Sequence, residues 1–164
     1  MFDPETLALA DAVLAACRAR NWRLATAESC TGGLVAAALT AIAGSSDVVE
    51  RGFVTYSNEA KMELLGVPAD TIAGHGAVSA QTAAAMARGA VARAGVDLAV
   101  SITGVARPGG GTPEKPVGFM CFGIATTAAA RSECLHLPGA NRTEIRHAAM
   151  RYALHLLAVE ARAG

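Results

Sequence analysis

Only two lysines, Lys61 and Lys115, stand among fourteen basic residues; the other twelve are arginines. Arginine cannot surrender its proton, whereas a lysine with a depressed pKa can act as a base. Lys61 falls near the start of an expected helix, whose positive end disfavours the ammonium form. Tyr56, at the end of the preceding strand, is placed to orient that amine or relay a proton. A base needs a nucleophile, and three candidates fit. Ser29 lies in Glu28-Ser29-Cys30-Thr31-Gly32-Gly33, just before an expected helix. Cys30 is chemically the better nucleophile, and a helix N-terminus lowers a thiol pKa. Ser57 precedes Lys61 by one helical turn, so the two side chains can meet.

The same segments offer binding groups. Gly32 and Gly33 let backbone amides approach a ligand closely, and free N–H groups there can hold a phosphate or an oxyanion. The plainer alternative is that Ser29 and Thr31 only cap the helix. Gly109-Gly110-Gly111-Thr112 lies in a loop from Gly104 to Pro116. It is neither a Walker A motif nor a dinucleotide fingerprint, but it suits a phosphate or ribose as well as a simple turn. Lys115 in that loop can bind an anion, and Arg142 is a candidate phosphate partner. Of the four histidines, His136 falls in an expected strand and His147 and His155 on the last helix, while His75 sits in a Gly-flanked loop. Glu144 and His147 could share a metal, but two ligands alone are a weak site, and no metal or other cofactor is expected.

Elements must bring these segments together. Asp3-Pro4 starts a helix that ends near Asn21, and Trp22–Ala27 reads as a strand. An Ala-rich helix runs from Leu34 to Ile42, and Val48–Tyr56 is a second strand. Ser57 or Asn58 caps a short helix that Gly66 ends. Ser79 caps a longer one to Ala94. Asp97–Ile102 is an apolar strand of the kind buried on both faces. Val117–Ala125 and Ser132–Leu137 form a hairpin, and Asn141 with Glu144 resembles a capping box for the terminal helix. This order predicts an α/β fold, a three-layer α/β/α sandwich on a mixed, mostly parallel sheet of five to six strands. Ligands in such sheets bind beyond the carboxyl ends of parallel strands. The segments Glu28–Gly33, Tyr56–Lys61 and Thr103–Lys115 should therefore converge on one rim.

Composition narrows the function classes. The 164 residues suit one domain spanning 1–164. They are 52% hydrophobic and 17% charged, which excludes intrinsic disorder. The net charge is zero, so no nucleic-acid partner is expected. Mean hydropathy is +0.35, raised by scattered alanine rather than by a stretch able to span a bilayer, so no membrane partner is expected. The acidic start, Met1-Phe2-Asp3-Pro4-Glu5, does not read as a signal peptide. Cys17, Cys30, Cys121 and Cys134 lie far apart and read as reduced thiols of a cytoplasmic protein. Small apolar Ala-rich helices point to a homo-oligomer.

Four ordered blocks carry a family resemblance. Thr26-Ala27-Glu28-Ser29-Cys30-Thr31-Gly32-Gly33 resembles the opening signature of the CinA C-terminal domain family. Gly52-Phe53-Val54-Thr55-Tyr56-Ser57-Asn58-Glu59-Ala60-Lys61 resembles its second block, His75-Gly76-Ala77-Val78-Ser79 its third, and Thr103-Gly104-Val105-Ala106 with Gly109–Gly118 its fourth. The resemblance runs from about residue 6 to 160. It implies a three-layer α/β/α fold and nicotinamide-nucleotide amidase activity, converting nicotinamide mononucleotide and water to nicotinate mononucleotide and ammonia in pyridine nucleotide salvage. It points to Ser29 as nucleophile and Lys61 as its partner, with Tyr56 nearby. Longer members carry a separate N-terminal domain, for which this chain has no room. Members usually have Gly where this chain has Arg107, which bears on how substrate is held.

The resulting expectation is a cofactor-free Ser-Lys amidohydrolase acting on a small nucleotide. Ser29, Lys61 and Tyr56 do the chemistry, and amides from Cys30, Thr31, Gly32 and Gly33 hold the oxyanion. Asn58, Thr103, Gly104, Thr112 and Arg142 bind substrate. The competing reading is a non-catalytic module that binds a nucleotide or docks a partner in competence or DNA-damage responses.

Overall fold

The computed structural model describes residues 1–163. Local capping chemistry sets several helix starts. Asp3 accepts from the Thr6 amide at 2.7 Å and opens α1 (Pro4–Ala19). Ser57 opens α3 (Asn58–Leu65), Ser79 opens α5 (Ala80–Ala94) and Asn141 opens α6 (Arg142–Arg162), each accepting an amide three residues on. Glu144 returns to the Ala140 amide at 2.8 Å, one residue before the position a strict capping box uses. The helices α2 (Leu34–Thr40) and α4 (Ala69–His75) have no side-chain cap. No described helix is long and apolar enough to cross a membrane.

Five strands form one sheet: β1 (Leu24–Glu28), β2 (Val49–Val54), β3 (Leu98–Gly104), β4 (Phe119–Thr126) and β5 (Ala130–His136), in the order β2-β1-β3-β4-β5. The pairs β1–β2 and β1–β3 are parallel, while β3–β4 and β4–β5 are antiparallel. Four strands thus point one way and β4 alone opposes them. This is the mixed, three-layer sandwich the element order predicts.

The pleat divides the core in two. Leu24, Val100 and Ile102 face α1, α2 and α6 with Leu14, Met150 and Leu154. Ala25, Ala27 and Ala99 face α5 with Met86 and Ala90. The second face is lined by small residues, and α5 comes very close. A Cβ on Gly123 would lie 2.2 Å from the Ala83 carbonyl oxygen. Ser101 Oγ donates to that oxygen at 2.6 Å and accepts from the Gly123 amide at 3.1 Å.

Three expectations need correction. His75 is not in a loop: it ends α4, a helix with no buried residue and hence no periodic apolar signature. Trp22 lies before β1, where the Arg20 guanidinium covers its ring at 3.6 Å. The four cysteines are not all reduced. Cys121 and Cys134 are directly opposed in the β4–β5 register and form a disulfide, while Cys17 and Cys30 are free and buried. Antiparallel register, invisible in a separation of 13 residues, is what joins the pair.

Candidate active site

The turn after β1 is built around a buried carboxylate. Glu28 is fully buried and accepts from the amides of Gly33 and Val35 at 3.1 Å and Ala36 at 2.9 Å. These are the amides a helix start leaves without partners. The chain enters α2 through Gly32 and Gly33 at φ 59° and 100°, a left-handed path that favours glycine. Gly32 N–H donates to the Ser29 carbonyl at 3.0 Å. The Gly32 and Gly33 amides are therefore occupied, which corrects their assignment as oxyanion donors. Neither glycine nor the buried Thr31 lines the cleft. Within the turn, the Cys30 and Thr31 amides donate to no other residue among the described residues.

Ser29 sits where β1 ends, its own amide held by the Ile102 carbonyl at 3.0 Å. Lys61 comes from the first turn of α3, is only 1% exposed, and lies with Nζ 3.1 Å from Ser29 Oγ. Nζ is also 2.9 Å from the Thr55 carbonyl and 3.5 Å from that of Ser57. Among the described residues no carboxylate pairs with Lys61. Burial pushes its pKa below the ordinary lysine value, with an opposing contribution from Cys30. As an ammonium, Nζ donates to all three oxygens; once deprotonated, two N–H bonds serve the carbonyls and the lone pair is left facing the Ser29 hydroxyl.

The rival nucleophiles are otherwise engaged. Burial raises the Cys30 thiol to about 11, outweighing its own amide and the nearby Arg142 and Arg146 charges. The expected lowering is thus reversed, and the thiol points to Met120 Sδ at 3.6 Å. Ser57 Oγ accepts from Ala60 N at 3.0 Å as the α3 cap, and the part of Ser57 nearest the amine is its carbonyl.

A cleft of about 290 Å³ opens over the Ser29–Lys61 pair. The structure brings Ser29, Cys30, Tyr56, Asn58, Lys61, Thr103, Gly104 and Arg142 to its walls, so the three expected segments do share one rim. Tyr56 does not reach the pair. The residue is 63% exposed and its hydroxyl accepts from Arg142 at 3.0 Å. Thr103 Oγ1 donates to the Ala77 carbonyl at 2.7 Å, which draws residues 77 and 78 into the wall. Thr112 lies outside the cleft. It closes its own turn, exchanging bonds with the Lys115 backbone, while Lys115 Nζ donates to the His75 carbonyl at 3.1 Å.

Sequence reasoning missed Ala77, Val78, Val105 and Ala106 as lining residues, while Gly110 of the glycine-rich loop does reach the wall. Apolar and small residues carry no chemical flag, though all lie in or beside the motif blocks. It also missed Arg146, whose guanidinium donates to the Cys30 and Thr31 carbonyls at 2.9 Å each. The one available signal was its spacing of four from Arg142. Arg107 and Arg142 bring fixed positive charge to the cleft, Lys61 is its ionisable amine, and no Asp or Glu lines it among the described residues. Such a cleft favours an anionic ligand. A larger groove of about 830 Å³ along α5 contains no comparable nucleophile–base pair.

Known proteins resemble this chain in sequence and in fold. A family model described as the CinA C-terminal domain matches residues 6–160. The chain is 49% identical over 160 residues to the Escherichia coli nicotinamide-nucleotide amidohydrolase PncC, covering 96% of this chain and 95% of that protein. It is 56% identical over 135 residues to a CinA-like protein of Mycolicibacterium gilvum, covering 82% of this chain. That match spans 32% of the longer protein, so the chain corresponds to about a third of such relatives. The crystal structure of the competence/damage inducible protein CihA from Agrobacterium tumefaciens superposes with a TM-score of 0.93 at 45% identity, covering 97% of both chains. By sequence and by fold, the chain belongs to the CinA C-terminal domain family.

Proposed function

We propose that this protein is an amidohydrolase that converts nicotinamide mononucleotide and water to nicotinate mononucleotide and ammonia, with Ser29 as nucleophile and Lys61 as base. The observation that carries the reading is the 3.1 Å approach of a buried, carboxylate-free Lys61 Nζ to Ser29 Oγ. The near full-length similarity to an amidohydrolase of nicotinamide nucleotide supports the substrate.

Neutral Lys61 takes the Ser29 proton as Oγ attacks the carboxamide carbon. The Cys30 amide, at the cleft wall, stabilises the developing oxyanion, an effect worth about 3–4 kcal/mol per donor in known hydrolases. Lys61 returns the proton to the departing ammonia, then activates the water that cleaves the acyl-enzyme. Arg142, steadied by Tyr56, and Arg107 face the phosphate, while Asn58, Thr103 and Gly104 shape the wall beside the ribose. No cofactor takes part in this sequence of steps. A cytoplasmic site of action and self-association belong to the same reading. The unpaired outer edge of β2, with Val54 50% exposed, supports the latter.

Ammonia release from nicotinamide mononucleotide by the purified protein is the test. Ser29→Ala should abolish it while nucleotide binding persists. Turnover retained in that variant rejects Ser29. Binding without ammonia at high enzyme concentration favours the non-catalytic module.

A further inference from the structure

We propose that Arg146 is a positioning residue of the reaction, holding the nucleophile turn in shape through the Cys30 and Thr31 carbonyls. The inference rests on the amidohydrolase reading and concerns the same site. Arg146 lies on α6 four residues after Arg142, on the same helix face. Arg142 lines the cleft, whereas Arg146 reaches beneath the turn and does not line it. Its Nε donates to the Cys30 carbonyl and its terminal nitrogen to the Thr31 carbonyl, both at 2.9 Å. No carboxylate pairs with it among the described residues, so its charge is directed at these two oxygens. Gly32 leaves room for the guanidinium: a Cβ there would lie 3.3 Å from it.

Each bond acts on the turn. The Cys30 carbonyl lies one residue after the nucleophile, so anchoring it fixes the path of the turn beside Ser29. The Thr31 carbonyl shares its peptide with the Gly32 N–H, which donates to the Ser29 carbonyl at 3.0 Å and closes the turn. One fork therefore ties two successive carbonyls and tightens the loop carrying the nucleophile. Lysine, a point charge without the planar fork, can satisfy one carbonyl well but not both in this geometry.

The experiment compares wild type, Arg146→Ala and Arg146→Lys by steady-state ammonia release and by the rate at which an aryl sulfonyl fluoride labels Ser29. Labelling needs the nucleophile turn but no nicotinamide. Arg146→Ala should lower kcat about 100-fold with KM within threefold, and slow labelling in parallel. Millimolar guanidinium should restore at least tenfold of the loss, methylammonium much less, and Arg146→Lys should fall between wild type and Arg146→Ala. A kcat within threefold of wild type overturns the proposal, as does a loss confined to KM or one that guanidinium leaves untouched. If wild type releases no ammonia yet its labelling depends on Arg146, the positioning role stands and the substrate reading falls. If wild type is neither active nor labelled, both fall.

Discussion

Ser29 Oγ and Lys61 Nζ, 32 residues apart in the chain, stand 3.1 Å from each other, and the amine is buried with carbonyls rather than carboxylates for company. This relationship fixes a pH dependence. Burial lowers the Lys61 pKa from 10.5, and the protonated form has no lone pair to accept the serine proton. Activity should rise with pH along a limb whose midpoint lies below that of an ordinary lysine. Lys61→Arg, charged at every accessible pH, should lose at least about 1000-fold in kcat/KM with no ascending limb. A pH profile of kcat/KM for both proteins checks this.

Stability must follow the same proton. A lysine whose folded pKa lies below its unfolded value binds more protons unfolded than folded between the two values, so stability rises with pH across that interval. Below the folded pKa the full penalty for charging the buried amine applies. Lys61→Met removes the titration. Its thermal midpoint relative to wild type should be highest at low pH and decline as pH rises toward 10.5. Paired melting curves at several pH values report the difference directly. A difference that does not change with pH contradicts a depressed Lys61.

Glu28 is a structural carboxylate at a catalytic address. Its two oxygens accept three amides of the α2 entrance with no solvent exposure. Removing a partner from a buried donor costs about 1–3 kcal/mol. Glu28→Ala should destabilise the fold by at least about 3 kcal/mol in urea unfolding, and Glu28→Gln, which keeps one carbonyl acceptor, by less. Loss of activity without loss of stability in Glu28→Ala would instead point to a direct chemical role.

Cys30 offers a control on the nucleophile. A buried thiol raised to about 11 carries little thiolate at neutral pH. Cys30→Ala should keep kcat within about threefold, and iodoacetamide should leave the folded wild-type residue unmodified at pH 7.5. Peptide mass spectrometry after alkylation measures the latter. Cys17, also buried and raised to about 11, provides an internal reference.

What the sequence revealed was what local chemistry determines. Asp3, Ser57, Ser79 and Asn141 cap helices with atoms three residues away, so the cues lie within one turn. The rim of the sheet was readable because β1, β2 and β3 all end in polar or glycine-containing segments. Contacts set by long-range packing were not. Arg146 meets the Cys30 and Thr31 carbonyls only because α6 lies across the turn after β1. The Cys121–Cys134 pair depends on hairpin register, and the role of Glu28 depends on its depth. The reversal at Cys30 has the same origin: proximity to a helix start is local, while the burial that overrides it is not.

Tyr56 separates substrate holding from chemistry. Its hydroxyl accepts from Arg142 at 3.0 Å and makes no bond to Ser29 or Lys61. A hydrogen bond of this kind is worth about 0.5–1.5 kcal/mol, which corresponds to roughly 2- to 12-fold in an equilibrium constant. Tyr56→Phe should therefore raise KM for nicotinamide mononucleotide by a factor in that range and leave kcat nearly unchanged. Arg142→Ala should raise KM further, and adding Tyr56→Phe to it should cost almost nothing more, because the hydroxyl would have lost the group it steadies. The same variants tested on nicotinamide riboside, which lacks the phosphate, should show little difference in KM. If Tyr56→Phe instead lowers kcat with either substrate, the hydroxyl acts on the Ser29–Lys61 pair and the Arg142 contact is incidental.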